Sequence, residues 1–363
     1  SELTRAGLKV SVGEDAQRAG WYVGGQRHEG SGAERDAIAR RGWDRFVDGV
    51  REVLPQPHSP LHALGRLARF DRMTIAQRLA ELHLDAEERD VLTAELESLA
   101  QAPLDEAGAV SVLRWHALSG YSLELTQDTG GQVTIDGGTG ALLDAIATAA
   151  SFETRLDSPV AAVRRERDHV EVHTRAGEVL TGRAVVLAVP LNVLGGIEVA
   201  PQLPEDKRRA IADGQASRGV KLMIHARGEH LRQNSIRPGH PFGYLATEVL
   251  DGDGTQLLIG FGCGVKHVDL EDRAALAEDL EQILPGYELL DLAAHDWTAD
   301  EFSRGTWAIH RPGWYQHHHL AMRRPEGRLI LAGSDLANGW AGFIDGAIES
   351  GLSSGAWAAA MSA

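Results

Sequence analysis

The chain has 363 residues, of which 43% are hydrophobic and 24% charged, and its formal net charge is -16. This length and composition are typical of a globular protein with room for two domains. The negative charge argues against nucleic acid as a partner, and the single cysteine, Cys263, excludes both a disulfide within the chain and a metal site built from several cysteines. No apolar run reaches the ~18 to 20 residues that span a bilayer, and no signal peptide is visible. We therefore expect a cytoplasmic protein without membrane insertion.

Residues 1–12 predict the end of a helix followed by a strand. Gly7 is suited to cap the helix, and LKVSV alternates as strands do. In dinucleotide-binding units an acidic residue at the end of the second strand binds ribose hydroxyls, and Glu14 or Asp15 stands at that place. The strand and G-x-G-x-x-G turn that precede this residue in such units are not in the sequence.

Residues 19–123 change from a glycine-rich to a helical pattern. The segment AGWYVGGQ, from Ala19, suits equally a backbone close to a ligand and a plain tight turn. From residue 33 onward, apolar residues recur at three- and four-residue spacing, as in IAQRLAEL and AEERDVLTAELESL. This predicts a helical insertion, with the proline-rich residues 55–62 as a loop between helices.

From residue 133 the pattern is α/β. GQVTIDGGTGALLDAIATAA reads as a strand, a glycine turn and a helix, and later segments predict a hairpin with Gly177 at its turn and a buried strand ending at Pro190. After a helix from about residue 202, GVKLMIHA, GYLATEVL and QLLIGFGCG predict antiparallel strands, which the helix RAALAEDLEQIL follows. A second sheet domain is therefore expected.

Residues 327–351, GRLILAGSDLANGWAGFIDGAIESG, predict a buried strand at 329–332, a glycine-rich turn and a helix from 343. Such a turn lets backbone amides and the positive end of a helix approach an electron-rich ligand. On this pattern alone, a terminal strand and helix that only pack together are the commoner explanation.

With these elements in order, the chain resembles the flavin-dependent amine oxidases, the family of monoamine, polyamine and nicotine oxidases. AGSD followed by GWAGFIDGAIESG is similar to the family's terminal flavin segment, and TIDGGTGALLDAIA, DSPVAAV, VVLAVPL and HDWTADEFSRGTW precede it in the family's order. The resemblance implies a two-domain α/β fold. A Rossmann-like FAD-binding domain, incomplete at its N-terminus, would comprise 1–33, 132–212 and 300–363. A substrate-binding domain with mixed sheet and helices would comprise 34–131 and 213–299.

The resemblance also implies which residues contact FAD. Gly333 and Asp335 would line the ribityl and pyrophosphate region, with Asp335 standing where the family usually has glutamate. The backbone of Ile344 would donate to the pyrimidine edge of the flavin, where the following helix stabilises negative charge. Thr306 occupies the place of the cysteine that some members bond to flavin, so the cofactor is expected to be non-covalent. The cofactor-binding residues expected together are Glu14, Val160, Trp297, Gly333, Asp335, Gly342 and Ile344.

Three residues are implied on the substrate side. Lys221, one of four lysines, matches the lysine that holds a water near the flavin and assists reoxidation by oxygen; from its pattern alone a solvated strand lysine is the better explanation. Trp307 and Phe343 match the two aromatic residues that flank the substrate nitrogen, although such residues more often serve as core. Aromatic faces attract a cationic amine by about 0.5 to 2 kcal/mol, and the neutral amine that is expected to bind here should gain less.

Two other motifs carry no chemistry in this interpretation. Residues 317–319 are three consecutive histidines without a carboxylate or cysteine at ligand spacing, so we expect a surface loop and no metal. GLSSG, residues 351–355, fits the letters of a nucleophile elbow but follows a helix where the elbow needs a strand.

The function expected from the resemblance is oxidation of an amine to an imine by hydride transfer to FAD, with O2 as the second substrate, hydrogen peroxide as a product and a homodimer as the candidate assembly. The G-x-G-x-x-G and G-G-R segments that cradle the pyrophosphate in the family are absent from the sequence. Two rival functions stay open: a flavin-free binding or scaffold protein, and a flavoenzyme of the same fold acting on a non-amine.

Overall fold

The computed structural model describes residues 2–128, 133–264 and 266–362. Its α-helices are α1 Glu2–Ala6, α2 Gly32–Phe46, α3 Val50–Val53, α4 Leu64–Asp71, α5 Ile75–Ala80, α6 Ala86–Ala100, α7 Ala109–Leu118, α8 Leu123–Asp128, α9 Gly138–Thr148, α10 Glu205–Asp213, α11 Arg273–Ile283, α12 Trp314–His317, α13 His319–Arg323 and α14 Ile344–Ser362. Its strands are β1 Val10–Val12, β2 Arg18–Val23, β3 Gln26–Gly30, β4 Val133–Ile135, β5 Val160–Arg165, β6 Val170–Thr174, β7 Val179–Gly182, β8 Val185–Leu187, β9 Glu198–Ala200, β10 Val220–Arg227, β11 Gln233–Ile236, β12 Phe242–Leu250, β13 Thr255–Gly262, β14 Glu288–His295 and β15 Leu329–Leu331. Short 3-10 helices span Pro60–Ala63, Leu191–Gly196 and Ser334–Leu336.

A seven-stranded sheet forms one part of the fold, in the order β14-β10-β13-β12-β11-β2-β3. Its pairs are antiparallel except for the parallel pair β11 and β2. In β10, alternate residues from Val220 to Ala226 are buried in a hydrophobic core to which α11 contributes, whereas Lys221 is exposed. The period of two thus places an apolar face on α11 and a lysine on the opposite face.

Helices α2 to α7 form the expected insertion between β3 and β4. Their core includes Trp43, Phe46, Leu92 and Leu113, each at most 1% exposed. Capping boxes define the first turns of α2, α5 and α6, because a Ser, Thr or Asp side chain accepts from the third backbone amide of each helix.

A parallel pair, β8 and β15, lies beneath the candidate site. Leu187, Leu329 and Leu331 are buried, and Ala332 N–H continues the pairing by donating to the Leu187 carbonyl at 2.9 Å. Since parallel strands end at one edge, the segments that follow Leu187 and Leu331 meet there, and such an edge is where open α/β sheets bind ligands. The other sheets are the four-stranded β7-β6-β5-β9 and the pair β1-β4.

Most sequence-based expectations of local structure are confirmed, and two are refined. AGWYVGGQ is the tight turn of the β2–β3 hairpin, with positive φ at Gly24 and Gly25. The histidine run is not a surface loop: it joins α12 to α13, and His319 is fully buried. The expectation of a loop was wrong because His319 has a buried partner: the indole N–H of Trp314 donates to His319 Nδ1 at 3.3 Å. The spacing of residues in the sequence gives no sign of this hydrogen bond.

The fold is mixed α/β, as expected. The proposed division into domains stays a prediction; β2 and β3 pair within the seven-stranded sheet, and the boundary between residues 131 and 132 lies outside the described residues. None of the helices in the described ranges combines the length and hydropathy that crossing a bilayer requires.

Helix α6 links the insertion to the seven-stranded sheet. Glu97 is 6% exposed, and its Oε2 accepts the backbone N–H of Gly239, between β11 and β12, at 2.8 Å. Burial raises the pKa of Glu97 to about 6, against the opposing effects of this hydrogen bond and of Lys266. The charged carboxylate is therefore less stable in the folded chain than in the unfolded one.

We predict that Glu97→Gln changes how stability depends on pH. The wild-type chain should lose about 2 kcal/mol of unfolding free energy relative to the variant as pH rises from about 4 to 7, because a raised folded-state pKa favours folding only while the group is protonated. Chemical denaturation at several pH values measures the difference. The control is Glu87→Gln, on the partly exposed face of the same helix; if both variants show the same pH dependence, the assignment to Glu97 is wrong.

Candidate active site

A cavity of about 380 Å³ lies where the segments after β8 and β15 face β10 and residues 303–307. Four predicted site residues line it: Lys221, Trp297, Trp307 and Asp335. A second hollow of similar volume, between β2, residues 237–241 and α11, includes none of the predicted site residues. The cavity that holds them is within the size range of small-molecule sites.

Lys221 reaches this cavity because of its register. Its neighbours across the sheet are Phe261 on β13 and His295 on β14. The side chain is on the exposed face of β10, and it makes no hydrogen bond or ion pair with any residue that the structure describes. Its ammonium group is thus available to a ligand or a water in the cavity.

Trp307 is held in place at both its ring and its backbone. The indole Nε1–H donates to the Leu99 carbonyl at the end of α6 at 2.8 Å, and the ring meets Phe261 edge to face at 5.8 Å. The Trp307 carbonyl accepts from the hydroxyl of Ser217. The ring is therefore positioned by the helical insertion as well as by the sheet.

The turn after β15 carries Gly333 and Asp335. The carboxylate of Asp335 accepts the Leu191 backbone N–H at 2.8 Å and the Ser334 hydroxyl at 3.2 Å. Burial raises the pKa of Asp335, and these hydrogen bonds oppose the increase. Gly333 has φ of +123°, a conformation that favours glycine, and its N–H donates to Ser350 at 3.0 Å.

Phe343, predicted to face the substrate, is not among the residues that line the cavity. Its ring packs edge to face on Trp115 at 5.5 Å and on Trp340 at 5.3 Å. Gly342 connects this aromatic group to the cavity: its N–H donates to Ser334 at 3.2 Å, and a Cβ at this position would lie 3.0 Å from the backbone nitrogen of Ala308. The predicted aromatic pair, Trp307 and Phe343, thus comes from two chain segments in backbone contact.

The three other predicted cofactor residues lie on separate elements. Ile344 is 41% exposed at the start of α14, and in the described ranges its backbone N–H donates to no acceptor. Val160 is half-buried at the first position of β5, opposite Thr174. Glu14 is exposed and pairs with Arg232 at 2.6 Å, a contact of the kind that contributes little to stability.

Several residues that shape the site were missed in the sequence. Gln101 and Phe261 line the cavity. Arg114, 2% exposed on α7, donates to the backbone carbonyls of Asn338 and Gly339 in the turn before α14. His310 Nε2 donates to the Asp335 carbonyl at 2.8 Å, and burial lowers its pKa to about 3. A buried arginine could have been suspected in AVSVLRWHAL, where it interrupts an apolar run; the other three leave no periodic signal.

The residues present fit the ring end of a flavin. Thr306 Oγ1 is sealed from solvent and has no hydrogen-bond partner in the described chain, next to the cavity that Thr306 lines. Trp297 is 41% exposed there, and the first amide of α14 donates to no acceptor among the described residues. A planar, electron-rich ring would cover the tryptophan and find a donor at the positive helix end. The described residues contain no cluster of three or more His, Cys, Asp or Glu that could hold a metal.

We predict that Gly342→Ala destabilises the chain. Gly342 has φ of +85°, so alanine should cost at least about 1 to 2 kcal/mol of unfolding free energy from backbone strain, in addition to its contact with Ala308. The matched control is Gly351→Ala in α14, where a Cβ meets nothing within 4 Å; there alanine should stabilise by about 0.5 to 1 kcal/mol. Urea denaturation measures both, and a loss of the same size in both variants would contradict the role of Gly342.

Known proteins are similar to this chain in sequence and in fold. The family model described as flavin containing amine oxidoreductase matches residues 1–356. The chain is 32% identical over 335 residues to a pseudooxynicotine dehydrogenase of Pseudomonas sp, covering 91% of this chain and 67% of that protein. It is 33% identical over 319 residues to a nicotine dehydrogenase of Pseudomonas putida, covering 87% and 65%.

A solved structure of a putrescine oxidase double mutant, redesigned in its cofactor binding, superposes with a TM-score of 0.81 at 20% identity, covering 99% of this chain and 84% of that one. This likeness concerns the fold. The chain spans about two thirds of the length of the two curated relatives. Because the family model covers nearly the whole sequence, the chain belongs to the flavin containing amine oxidoreductase family.

Proposed function

We propose that the protein binds FAD non-covalently and oxidises an amine to an imine. The observation that supports this most directly is the convergence of Lys221, Trp297, Trp307 and Asp335 on one cavity. Ser334, which also lines the cavity, accepts the N–H of Gly342, two residues before α14. FAD supplies the acceptor for a hydride equivalent from the carbon next to the amine nitrogen and, through dioxygen, the route to hydrogen peroxide.

The aromatic residues orient the substrate. In this proposal a neutral amine lies between Trp307, which lines the cavity, and Phe343, which packs outside the described lining. The face of an indole favours a cationic amine by about 0.5 to 2 kcal/mol and a neutral amine by less. Trp307 is fixed by its bond to Leu99, so little ordering is needed when the substrate binds. Phe261 and the two rings exclude water from the reacting carbon, and no side chain is required as a general base.

The C-terminal turn and helix hold the cofactor. The Ile344 N–H and the start of α14 stabilise negative charge at the pyrimidine edge of the ring, while Gly333 and Asp335 face the ribityl and pyrophosphate region. Trp297 packs on the ring, and Val160 meets the adenine through its backbone. Glu14 would bind ribose hydroxyls in this arrangement; Arg232 bonds to its Oε2, and Oε1 accepts from no described residue.

Lys221 acts through a water molecule. Its ammonium group, without a protein partner in the described chain, would hold a water beside a bound flavin and so assist reoxidation of the flavin by dioxygen. We further propose that the reaction takes place in the cytoplasm, in line with a single, buried cysteine, and that the protein assembles as a homodimer. The electron acceptor is itself part of the proposal, because the two bacterial relatives are named dehydrogenases.

The test of this function combines a spectrum with a substrate screen. We expect the purified protein to show flavin absorption bands, directly or after addition of FAD, and to release the flavin on denaturation because the link is non-covalent. Primary, secondary and cyclic amines should then give peroxide in a coupled assay. Failure to take up FAD would refute the proposal. Turnover with an artificial dye but without peroxide would make the protein an amine dehydrogenase, and activity confined to non-amines would remove the amine claim.

We predict that Lys221→Met slows oxygen-dependent turnover by about 10- to 100-fold, because the positioned water is lost, while FAD binding changes little. Reduction of the flavin by amine without oxygen, followed by stopped flow, should keep most of its rate, whereas reoxidation should slow. Lys266→Met, at a lysine outside the cavity, is the matched control. Equal reoxidation rates in the two variants would exclude the proposed role of Lys221.

A further inference from the structure

Gln101, at the end of α6, has a backbone conformation that is unusual for its residue type. Its φ of +50° and ψ of +36° lie in the left-handed region, where helix ends normally place glycine or asparagine because a Cβ is unfavourable there. Residues kept in such conformations are found preferentially at functional sites. Gln101 also lines the candidate active-site cavity.

The hydrogen bonds of Gln101 determine the orientation of its amide. The group 3.0 Å from the Ser98 carbonyl must be the NH2, because a carbonyl oxygen only accepts. The same NH2 contacts Cys263 Sγ at 3.8 Å. The opposite end is therefore Oε1, an acceptor, and it receives no hydrogen bond from the residues in the described ranges.

The surroundings of Gln101 leave space for this amide. A Cβ on Gly219 would lie 1.8 Å from Oε1, and a Cβ on Gly264 would lie 2.9 Å from the backbone carbonyl of Gln101. That carbonyl also accepts from Arg218 N–H at 2.7 Å. Although the residue is only 1% exposed, Oε1 is not among the unpaired atoms sealed from solvent. Because Gln101 lines the cavity and is otherwise buried, the accessible part of Oε1 lies at the cavity wall, where no described residue donates to it.

We propose that Gln101 determines substrate specificity: its Oε1 accepts a hydrogen bond from a second donor group, a hydroxyl or N–H, on the amine substrate. The inference rests on the proposed amine oxidation. Gln101, Phe261 and Trp307 all line the cavity. The indole N–H of Trp307 is already bonded to the Leu99 carbonyl and Phe261 is apolar, so among these three side chains Oε1 is the polar atom without a hydrogen-bond partner in the described chain. A buried acceptor left unpaired penalises a substrate that lacks the donor.

The substrate class that follows is an amine with a polar donor away from the reacting nitrogen. An amine with the same carbon skeleton but without the donor would displace water from the cavity and leave Oε1 without any hydrogen-bond partner. Selectivity should therefore be expressed mainly in KM, since the contact lies away from the carbon that reacts.

The experiment compares matched amines in wild type and Gln101→Met, which keeps side-chain length and removes the amide. The pairs are tyramine with phenethylamine and 4-amino-1-butanol with butylamine. In the wild type, kcat/KM should favour the hydroxylated member of at least one pair, and Gln101→Met should reduce that ratio by about 10- to 100-fold. Gln282→Met, the same change at an exposed position on α11, is the control and should leave the ratio as it is.

Equilibrium binding of the same amines, followed by tryptophan fluorescence, separates this inference from the proposed function. If no amine is oxidised, the proposed function fails, and a binding preference lost in Gln101→Met still supports the role of Gln101. A wild type that does not discriminate within either pair, or a variant that weakens both members equally, overturns it. Should Gln101→Met unfold, Gln101→Asn tests the same point, because asparagine tolerates the backbone conformation but is one methylene shorter and should also lose the preference.

Discussion

The turn between β15 and α14 is held by buried and half-buried polar side chains that bond to its backbone, and the candidate site depends on this arrangement. Glu349 accepts the N–H groups of Asn338 and Gly339 at 2.9 and 2.7 Å, and Arg114 donates to the carbonyls of the same two residues. His310 fixes the Asp335 carbonyl. Since an unpaired buried amide or carbonyl is costly, each of these contacts favours one path of the backbone, and that path brings Gly342 against Ala308.

The same contacts join parts of the chain that are distant in sequence. Arg114 belongs to the helical insertion, as does Leu99, whose carbonyl orients the indole of Trp307, whereas Lys221 comes from the seven-stranded sheet. The cavity is therefore not a property of the C-terminal segment alone. A loss of packing in the insertion would misplace the aromatic wall even if the turn after β15 kept its shape.

The sequence predicted the helices, strands and turns of the site better than the contacts between them. The strand, turn and helix of residues 329–352 could be predicted because an apolar run and several glycines mark them. The alternation in VKLMI showed that the Lys221 side chain points either to solvent or into a site. Which direction it takes depends on pairing with Phe261 and His295, and pairing over tens of residues has no local signal. Gln101 was missed because a glutamine after a helix is ordinary in sequence. Its left-handed backbone conformation and its contacts with Gly219 and Gly264 are visible only in the structure. His319 was placed at the surface because its spacing gave no sign of a partner.

The two buried histidines beside the C-terminal turn are insensitive to protons over the range in which enzymes are assayed. His319 bonds to Asn338 at 3.0 Å, and burial lowers the pKa of both His310 and His319 to about 3. Neither ring gains a proton between about pH 5 and 9, so the donors that hold the turn are the same throughout. A pH profile measured on this protein between those limits would therefore contain no contribution from these two rings.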